Sequence, residues 1–276
     1  MSRASQGQLR REVHSLLLKG AVEPVPAGAG PGFYSHIFTV PKKNSTARRL
    51  IINLRPLNEH LVVPKFRMET PALIREMTLP GMWATSIDLQ DAYLHVLAHP
   101  STRKFLRFYC GGRAFQFRAL PFGLSTAPLL FTKLLDTVSC WAHRRGIHLH
   151  RYLDNWLILH PDRDTLCRHT QLLLDQTERL GFLVNRDKSA LTPSQSFTYI
   201  GMAFDLAAGR VGVPQDRCQA VLLACAEFLR APSQPLRRWQ VLLGLLTSVQ
   251  DLIPRGRLFN RPLPVSYTHL TLPTKA

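Results

Sequence analysis

Arg151-Tyr152-Leu153-Asp154-Asn155-Trp156-Leu157-Ile158 sets an acidic residue between two short apolar runs. Before it, Ile147, Leu149, Arg151 and Leu153 alternate with His148, His150, Tyr152 and Asp154; after it, Trp156-Leu157-Ile158-Leu159 is continuously apolar. Both runs read as strands. Asp and Asn tolerate positive φ, so Asp154-Asn155 is the expected bend of a two-residue β-hairpin. A carboxylate fixed on a rigid turn suits metal binding. The same spacing also fits a plain surface hairpin with an ordinary turn aspartate. Residues 84–89, Ala-Thr-Ser-Ile-Asp-Leu, read as a short buried strand that carries Asp88 near its end. Taken alone, such a carboxylate is more often a cap or an ion-pair partner. Two strand-borne carboxylates, however, can hold a pair of Mg²⁺ ions about 4 Å apart, which clamp the attacking hydroxyl and the leaving oxygens of a phosphoryl displacement. Magnesium takes oxygen ligands and keeps several waters, so two or three carboxylates suffice.

Elements able to position these groups recur along the chain. Leu9, Val13, Leu16 and Leu17 give a helix over 9–19 one apolar face, and Gly20 is its natural stop. A Pro/Gly/Ala loop covers 24–32. Residues 33–41 alternate as a strand, and Leu50-Ile51-Ile52-Asn53 as its partner; Lys42, Lys43, Arg48 and Arg49 gather near the tip between them. Residues 103–118 read as two aromatic-rich strands around Gly111-Gly112. A long helix follows Leu120-Pro121-Phe122-Gly123-Leu124, capped by Ser125 or Thr126, with Pro128 in its first turn and Gly146 at its end. A helix over 163–180 has Asp162 as N-cap and Gly181 as stop. Residues 196–204 read as one strand. Two helices, about 215–230 and 235–252, flank Ala231-Pro232-Ser233. This order argues α+β with an antiparallel sheet and a helical C-terminal piece.

The chain has 276 residues, with 35 Lys and Arg against 18 Asp and Glu, a net charge of +17. A dispersed excess of that size favours a polyanion, with nucleic acid first among them. The five cysteines are scattered with no C-x-x-C pair, which argues against a zinc ribbon or a redox couple and fits a reducing compartment inside the cell, nucleus or cytoplasm. No apolar run approaches ~18 residues, so no membrane partner is expected. His95 and His99, and His148 and His150, have pair spacing but no third ligand. Neither a dinucleotide-binding glycine fingerprint nor a P-loop occurs.

Six blocks in order resemble reverse transcriptases, above all those of DIRS-type and gypsy-like retrotransposons. Ser-Ile-Asp88-Leu-Gln-Asp-Ala-Tyr93 resembles the first catalytic block. Leu-Pro-Phe122-Gly123-Leu-Ser-Thr-Ala-Pro resembles the block that cradles template and nucleotide. Tyr152-Leu-Asp154-Asn155 resembles the Y-x-D-D hairpin. Leu-Gly181-Phe-Leu-Val-Asn-Arg-Asp-Lys188 resembles the block after it, and Tyr199-Ile200-Gly201 the primer-gripping turn. Pro-Lys42-Lys43 and Arg49-Leu-Ile-Ile-Asn-Leu-Arg-Pro-Leu-Asn58 are similar to the fingers hairpin.

The resemblance implies a right-hand polymerase fold, α+β, with fingers and an antiparallel palm sheet over 33–204. An N-terminal helix and linker over 1–32 precede them, and a helical thumb-like or connection segment over 205–263 follows. It implies RNA-directed DNA polymerisation: two Mg²⁺ ions (Mn²⁺ as substitute), dNTPs and an RNA or DNA template–primer. Asp88, the Leu89 carbonyl and Asp154 would ligate metal. Lys42 and Arg49 would grip the triphosphate, and Tyr93 would stack under the deoxyribose and reject a 2′-hydroxyl. Phe122 and Gly123 would line the nucleotide pocket, and Lys188 would protonate pyrophosphate. One departure stands out: Asn155 occupies the place of the family's second hairpin Asp. A neutral amide leaves metal charge uncompensated. The alternative is therefore a catalytically impaired retroelement remnant that only binds nucleic acid. Residues 264–276 continue no pattern and resemble adaptor or vector sequence, so C-terminal truncation before any RNase H block is expected.

Overall fold

The structure is a computed structural model that describes residues 3–41, 48–66, 68–69, 71–231 and 234–261. Lys42 and the tail 264–276 lie outside the described residues. In chain order the elements are α1 (Arg3–Leu18), β1 (Val22–Pro24), β2 (Ile37–Pro41), β3 (Arg48–Ile52), α2 (Arg55–Asn58), α3 (Pro71–Met77), β4 (Trp83–Asp88), β5 (Arg107–Cys110) and β6 (Arg113–Phe117). There follow α4 (Ala127–His143), β7 (His148–Tyr152), β8 (Asn155–His160), α5 (Arg163–Arg179), β9 (Ala190–Ser194), β10 (Ser196–Tyr199), β11 (Met202–Asp205), β12 (Arg210–Gly212), α6 (Gln215–Arg230), α7 (Leu236–Val249) and α8 (Gly256–Asn260). Short 3₁₀ turns occupy Ala92–His95, Pro100–Phe105 and Gln250–Leu252.

Two compact units divide the chain. The first takes the chain up to Met68, Asp88–Gly146 and Leu173–Asp187; the second takes Glu69–Ile87, Ile147–Leu172 and the chain from Lys188 on.

In the first unit a three-stranded sheet runs β1-β6-β5. Gly111 and Gly112, at φ 59° and 79°, join β5 to β6. Two consecutive positive φ values give the twist that a two-residue hairpin needs, which is why glycine occupies both places. Phe108 is fully buried against Phe115 and Phe117. β2 and β3 pair antiparallel from Ile37↔Ile52 to Pro41↔Arg48. Along the segment into β2, Ser35, Ile37 and Thr39 are buried while Tyr34, His36 and Phe38 are exposed, a period of two. α1 buries Leu9 and Val13, and Gly20 stops it at φ 66°. α4 buries Ala127, Phe131, Leu135, Val138 and Ala142, spaced as one helical face, and Leu129 near its start.

In the second unit a four-stranded sheet runs β7-β8-β4-β9, with β7 and β9 at its edges, and β10-β11-β12 form a three-stranded sheet. Ala84 of β4 and Leu157 and Leu159 of β8 pack with Ile74 of α3 and with Tyr199, Met202, Phe204 and Leu206. Thr85, on the other face of β4, has its hydroxyl 2.7 Å from that of Thr170 on α5, both buried. Trp156 and Ile158 are fully buried as well. β8 therefore reads as a continuous apolar run because both its faces are covered.

Four expectations are corrected. The strand expected from residue 103 begins at Arg107, because Pro100 sets a helical φ and the His99 ring accepts from the Ser101 N–H, which starts a 3₁₀ turn over Pro100–Phe105. The strand expected over 196–204 is the hairpin β10–β11, with Ile200 and Gly201 at φ 40° and 79° in its turn. Neither Ser125 nor Thr126 caps α4 through its side chain: Thr126 is the N-cap without such a bond, and the Ser125 N–H donates instead to Asn58 Oδ1 at 3.0 Å. The hairpin bend expected at Asp154-Asn155 falls one residue earlier. The expected cap of α5 is present: Asp162 Oδ2 accepts from the Thr165 N–H at 2.7 Å, and bonding to Thr165 holds its carboxyl below the ordinary range.

Leu157 sits with no exposed surface at the centre of the second unit's core. Leu157→Ala is expected to cost about 2–5 kcal/mol, read as a lower denaturant midpoint in urea unfolding.

Candidate functional site

Residues Asp154 and Asn155 belong to the β7–β8 hairpin, whose last pair is Tyr152↔Asn155. The two-residue bend is therefore Leu153-Asp154, one residue earlier than Asp154-Asn155. Leu153 takes the positive φ, at 56°, and Asp154 does not. A bulky L-residue in the left-handed region costs about 1–2 kcal/mol, so glycine is usual at that place. The consequence is chemical: Asp154 stands at the turn while Asn155 is already in the strand. The Asn155 amide nitrogen donates to Asp154 Oδ1 at 3.2 Å. Trp156 Nε1 donates to the Leu153 carbonyl at 3.2 Å and closes the turn from below.

Both strands of this hairpin are gripped from outside. On the β8 side, the Tyr199 hydroxyl donates to the Asn155 carbonyl at 2.6 Å. Tyr199 is 5% exposed. Burial first, then the negative charges of Glu69 and Asp154, push its hydroxyl far above the ordinary tyrosine value, with the Tyr152 backbone opposing. The hydroxyl stays protonated and serves as a fixed donor. On the β7 side, Glu69 Oε2 accepts from the Arg151 N–H at 3.1 Å and lies 3.2 Å from His150 Nδ1. Glu69 was not singled out by the sequence. It sits in Met68-Glu69, far from the hairpin in the chain, and no local pattern marks it. Ile200 and Gly201 form the turn after Tyr199; Arg217 Nη1 approaches the Gly201 carbonyl at 3.5 Å. Lys188 is exposed at the start of the segment before β9.

Asp88 ends β4. The alternate residues Ala84, Ser86 and Asp88 form one row of that strand, which begins in the buried core and finishes on a half-exposed carboxylate. The Asp88 carbonyl accepts from the Asn185 N–H at 2.8 Å and the Gln90 N–H donates to the Leu183 carbonyl at 2.7 Å. These bonds make the Leu89↔Val184 bridge without engaging the Leu89 carbonyl. His95, set aside as a metal ligand, accepts from the Leu183 N–H at 3.0 Å through Nε2 and meets the Ala92 carbonyl through Nδ1.

Tyr93, Phe122 and Gly123 come together in the first unit. The Tyr93 ring is buried, 4.9 Å from that of Phe122 and edge-on to Phe131 at 5.6 Å. Phe122 is itself exposed. Gly123 needs its φ of 95°. Asn58 spans this loop: its Nδ2 donates to the Gly123 carbonyl at 2.9 Å while its Oδ1 accepts from Ser125. Asn58 stood at the end of a recognised block, and its part in fixing the loop shows only in three dimensions. Arg49 is exposed on β3 opposite Val40, near the tip whose lysines lie outside the described residues.

Tyr199→Phe is expected to keep the ring's packing and lose the bond to Asn155. The cost is about 1–3 kcal/mol, read by thermal melting. Leu153→Val, which puts a β-branched residue at positive φ, is expected to destabilise more than Leu153→Gly in the same measurement.

A protein-family model described as "Reverse transcriptase (RNA-dependent DNA polymerase)" matches residues 40–204. The chain is 24% identical over 200 residues to the enzymatic polyprotein of soybean chlorotic mottle virus, covering 71% of this chain and 28% of that protein. It is 25% identical over 177 residues to Protein P of duck hepatitis B virus (strain China), covering 61% and 22%. It is 25% identical over 211 residues to the retrovirus-related Pol polyprotein from transposon gypsy of Drosophila melanogaster, covering 68% and 20%. The chain thus spans less than a third of the length of these curated relatives. Among solved structures, the foamy viral protease-reverse transcriptase in complex with double-stranded DNA superposes with a TM-score of 0.79 at 16% identity, covering 97% of this chain and 44% of that one. The same viral protein with an RNA/DNA hybrid gives 0.76 at 17% identity, covering 98% and 34%. At such identities the likeness is one of fold.

Proposed function

Because the chain belongs to the reverse transcriptase (RNA-dependent DNA polymerase) family, we propose that it is the polymerase part of a retrotransposon protein, DIRS-type or gypsy-like. In this reading it adds dNTPs to a primer 3′-hydroxyl on an RNA or DNA template. The observation that carries the reading is the seat of Asp154, a carboxylate at a two-residue turn whose flanking strands are both anchored. In this reading residues 33–204 form fingers and palm, and 205–263 a thumb-like segment.

In this reading Asp88 and Asp154 would offer carboxylate oxygens to magnesium, an ion that takes oxygen ligands, and Leu89 a carbonyl not used in its bridge. When bound, the ions would lower the pKa of the primer hydroxyl and neutralise charge on the phosphates. The protein's own groups do the rest. Lys42 and Arg49 hold the triphosphate by charge-assisted bonds. Tyr93 backs the sugar and excludes a 2′-hydroxyl, with Phe122 and Gly123 beside it and Asn58 fixing the loop. Lys188 delivers a proton to the leaving pyrophosphate. The Ile200–Gly201 turn holds the primer end, while Tyr199 anchors the hairpin that carries Asp154.

Exposed rings support a nucleic-acid partner. Tyr34 and Tyr109 stack at 4.6 Å and 15°, and His36 and Phe38 lie 6.3 Å apart at 21°, on the row left exposed by the alternation into β2. Exposed rings beside cations suit the faces of unpaired bases. Tyr34→Ala with Tyr109→Ala is expected to weaken binding of a single-stranded oligonucleotide by roughly 5- to 100-fold, measured by fluorescence anisotropy. Affinity should fall steeply with salt in all variants.

A second reading, a remnant that binds template–primer without turnover, draws on Asn155: its amide donates to Asp154 where the family has a further carboxylate. Primer extension on poly(rA)/oligo(dT) separates the two. The polymerase reading expects extension by the chain as written and none by Asp154→Ala. Silence that Asn155→Asp relieves would establish the impaired remnant instead.

A further inference from the structure

We propose that Glu69 is the positioning residue that sets where the Asp154 carboxylate stands. The inference rests on the metal-binding reading of Asp154 and adds a residue that lies outside every recognised block.

β7 is an edge strand of its sheet, so among the described residues no neighbouring strand receives its outward N–H groups. Glu69 supplies the acceptor for one of them, at Arg151, three residues before Asp154. The same oxygen meets His150 Nδ1 at 3.2 Å. That ring belongs to a residue only 5% exposed, so it cannot swing away. One carboxylate therefore fixes both the backbone and a buried side chain of consecutive residues on β7. The matching restraint on β8 is the Tyr199 bond to Asn155. Between the two anchors lies a turn with Leu153 at φ 56°. Such strain persists only where the surroundings over-determine it. With the β7 anchor released, the turn can relax toward an unstrained conformation. That relaxation moves Asp154, because Asp154 is one of the two residues that make the turn. Glu69 has its oxygen engaged in these bonds and acts through Asp154. Displacements near 1 Å at a reacting centre cost on the order of 100-fold in rate.

The test is Mn²⁺ titration of the full chain followed by electron paramagnetic resonance, beside steady-state dNTP incorporation. Glu69→Ala, Glu69→Gln, Glu69→Asp and Asp154→Ala are compared with the parent. Glutamine keeps an acceptor for the Arg151 N–H; aspartate keeps the charge and loses the reach. Glu69→Ala and Glu69→Asp are expected to weaken Mn²⁺ binding about fivefold or more, and to lower kcat roughly 10- to 100-fold with KM for dNTP within about twofold. Glu69→Gln should stay within about threefold of the parent in both. If Glu69→Ala does not fold, Glu69→Asp against Glu69→Gln decides by the same contrast. Mn²⁺ affinity lost in Asp154→Ala but unchanged in Glu69→Ala and Glu69→Asp would overturn the role of Glu69 and leave the metal site standing. Glutamine failing as badly as alanine would overturn it too, since the hydrogen bond would then not be what matters. Mn²⁺ affinity unchanged in Asp154→Ala would remove the metal reading, and this inference with it.

Discussion

A leucine held in the left-handed region is the constraint on which the catalytic-looking hairpin depends. Leu153 takes the positive φ so that the turn closes in two residues, and this leaves Asp154 outside the strand ladder. The conformation is unfavourable for leucine by itself. It is offset by a set of local bonds: the Trp156 indole to the Leu153 carbonyl, Tyr199 to the Asn155 carbonyl, and Glu69 to the Arg151 N–H. Each comes from a side chain whose own place is set elsewhere, in the buried core for Trp156 and Tyr199. Packing of the second unit is thereby converted into the position of one carboxylate.

The first unit uses a different device for its own loop. The Phe122-Gly123 segment is held by a single amide, Asn58, which donates to one side of the loop and accepts from the other. A side-chain amide can do both at once, as a carboxylate cannot. The buried Tyr93 ring lies against the same loop, so the loop and the aromatic that would back a sugar share one packing environment.

Much of this was legible in the chain. Alternation before Asp154 and the apolar run after it gave the hairpin. Gly111-Gly112 gave the β5–β6 turn, Asp162 the cap of α5, and Leu9 with Val13 the buried face of α1. The six blocks gave the family. What the residues could not tell is instructive. Turn preference favours a bend at Asp154-Asn155, yet the register of β7 and β8 puts it on Leu153-Asp154; strand pairing overrides local propensity. No side chain caps α4, neither Ser125 nor Thr126; the loop before it is held instead by Asn58, more than sixty residues away, a tertiary contact that no local pattern marks. Glu69 is invisible for the same reason: a glutamate before a helix carries no periodic signal, and its partners lie some eighty residues on.

The ends of the sheets carry a further consequence. Pro24 lies in β1, the outer strand of β1-β6-β5, and Pro193 lies in β9, one outer strand of β7-β8-β4-β9. Proline has no N–H to offer a newcomer strand. At the opposite rim of the four-stranded sheet, on β7, the Arg151 N–H is already taken by Glu69. The contact that steadies Asp154 thus doubles as a guard against strand-by-strand self-association, the hazard that open sheet rims bring.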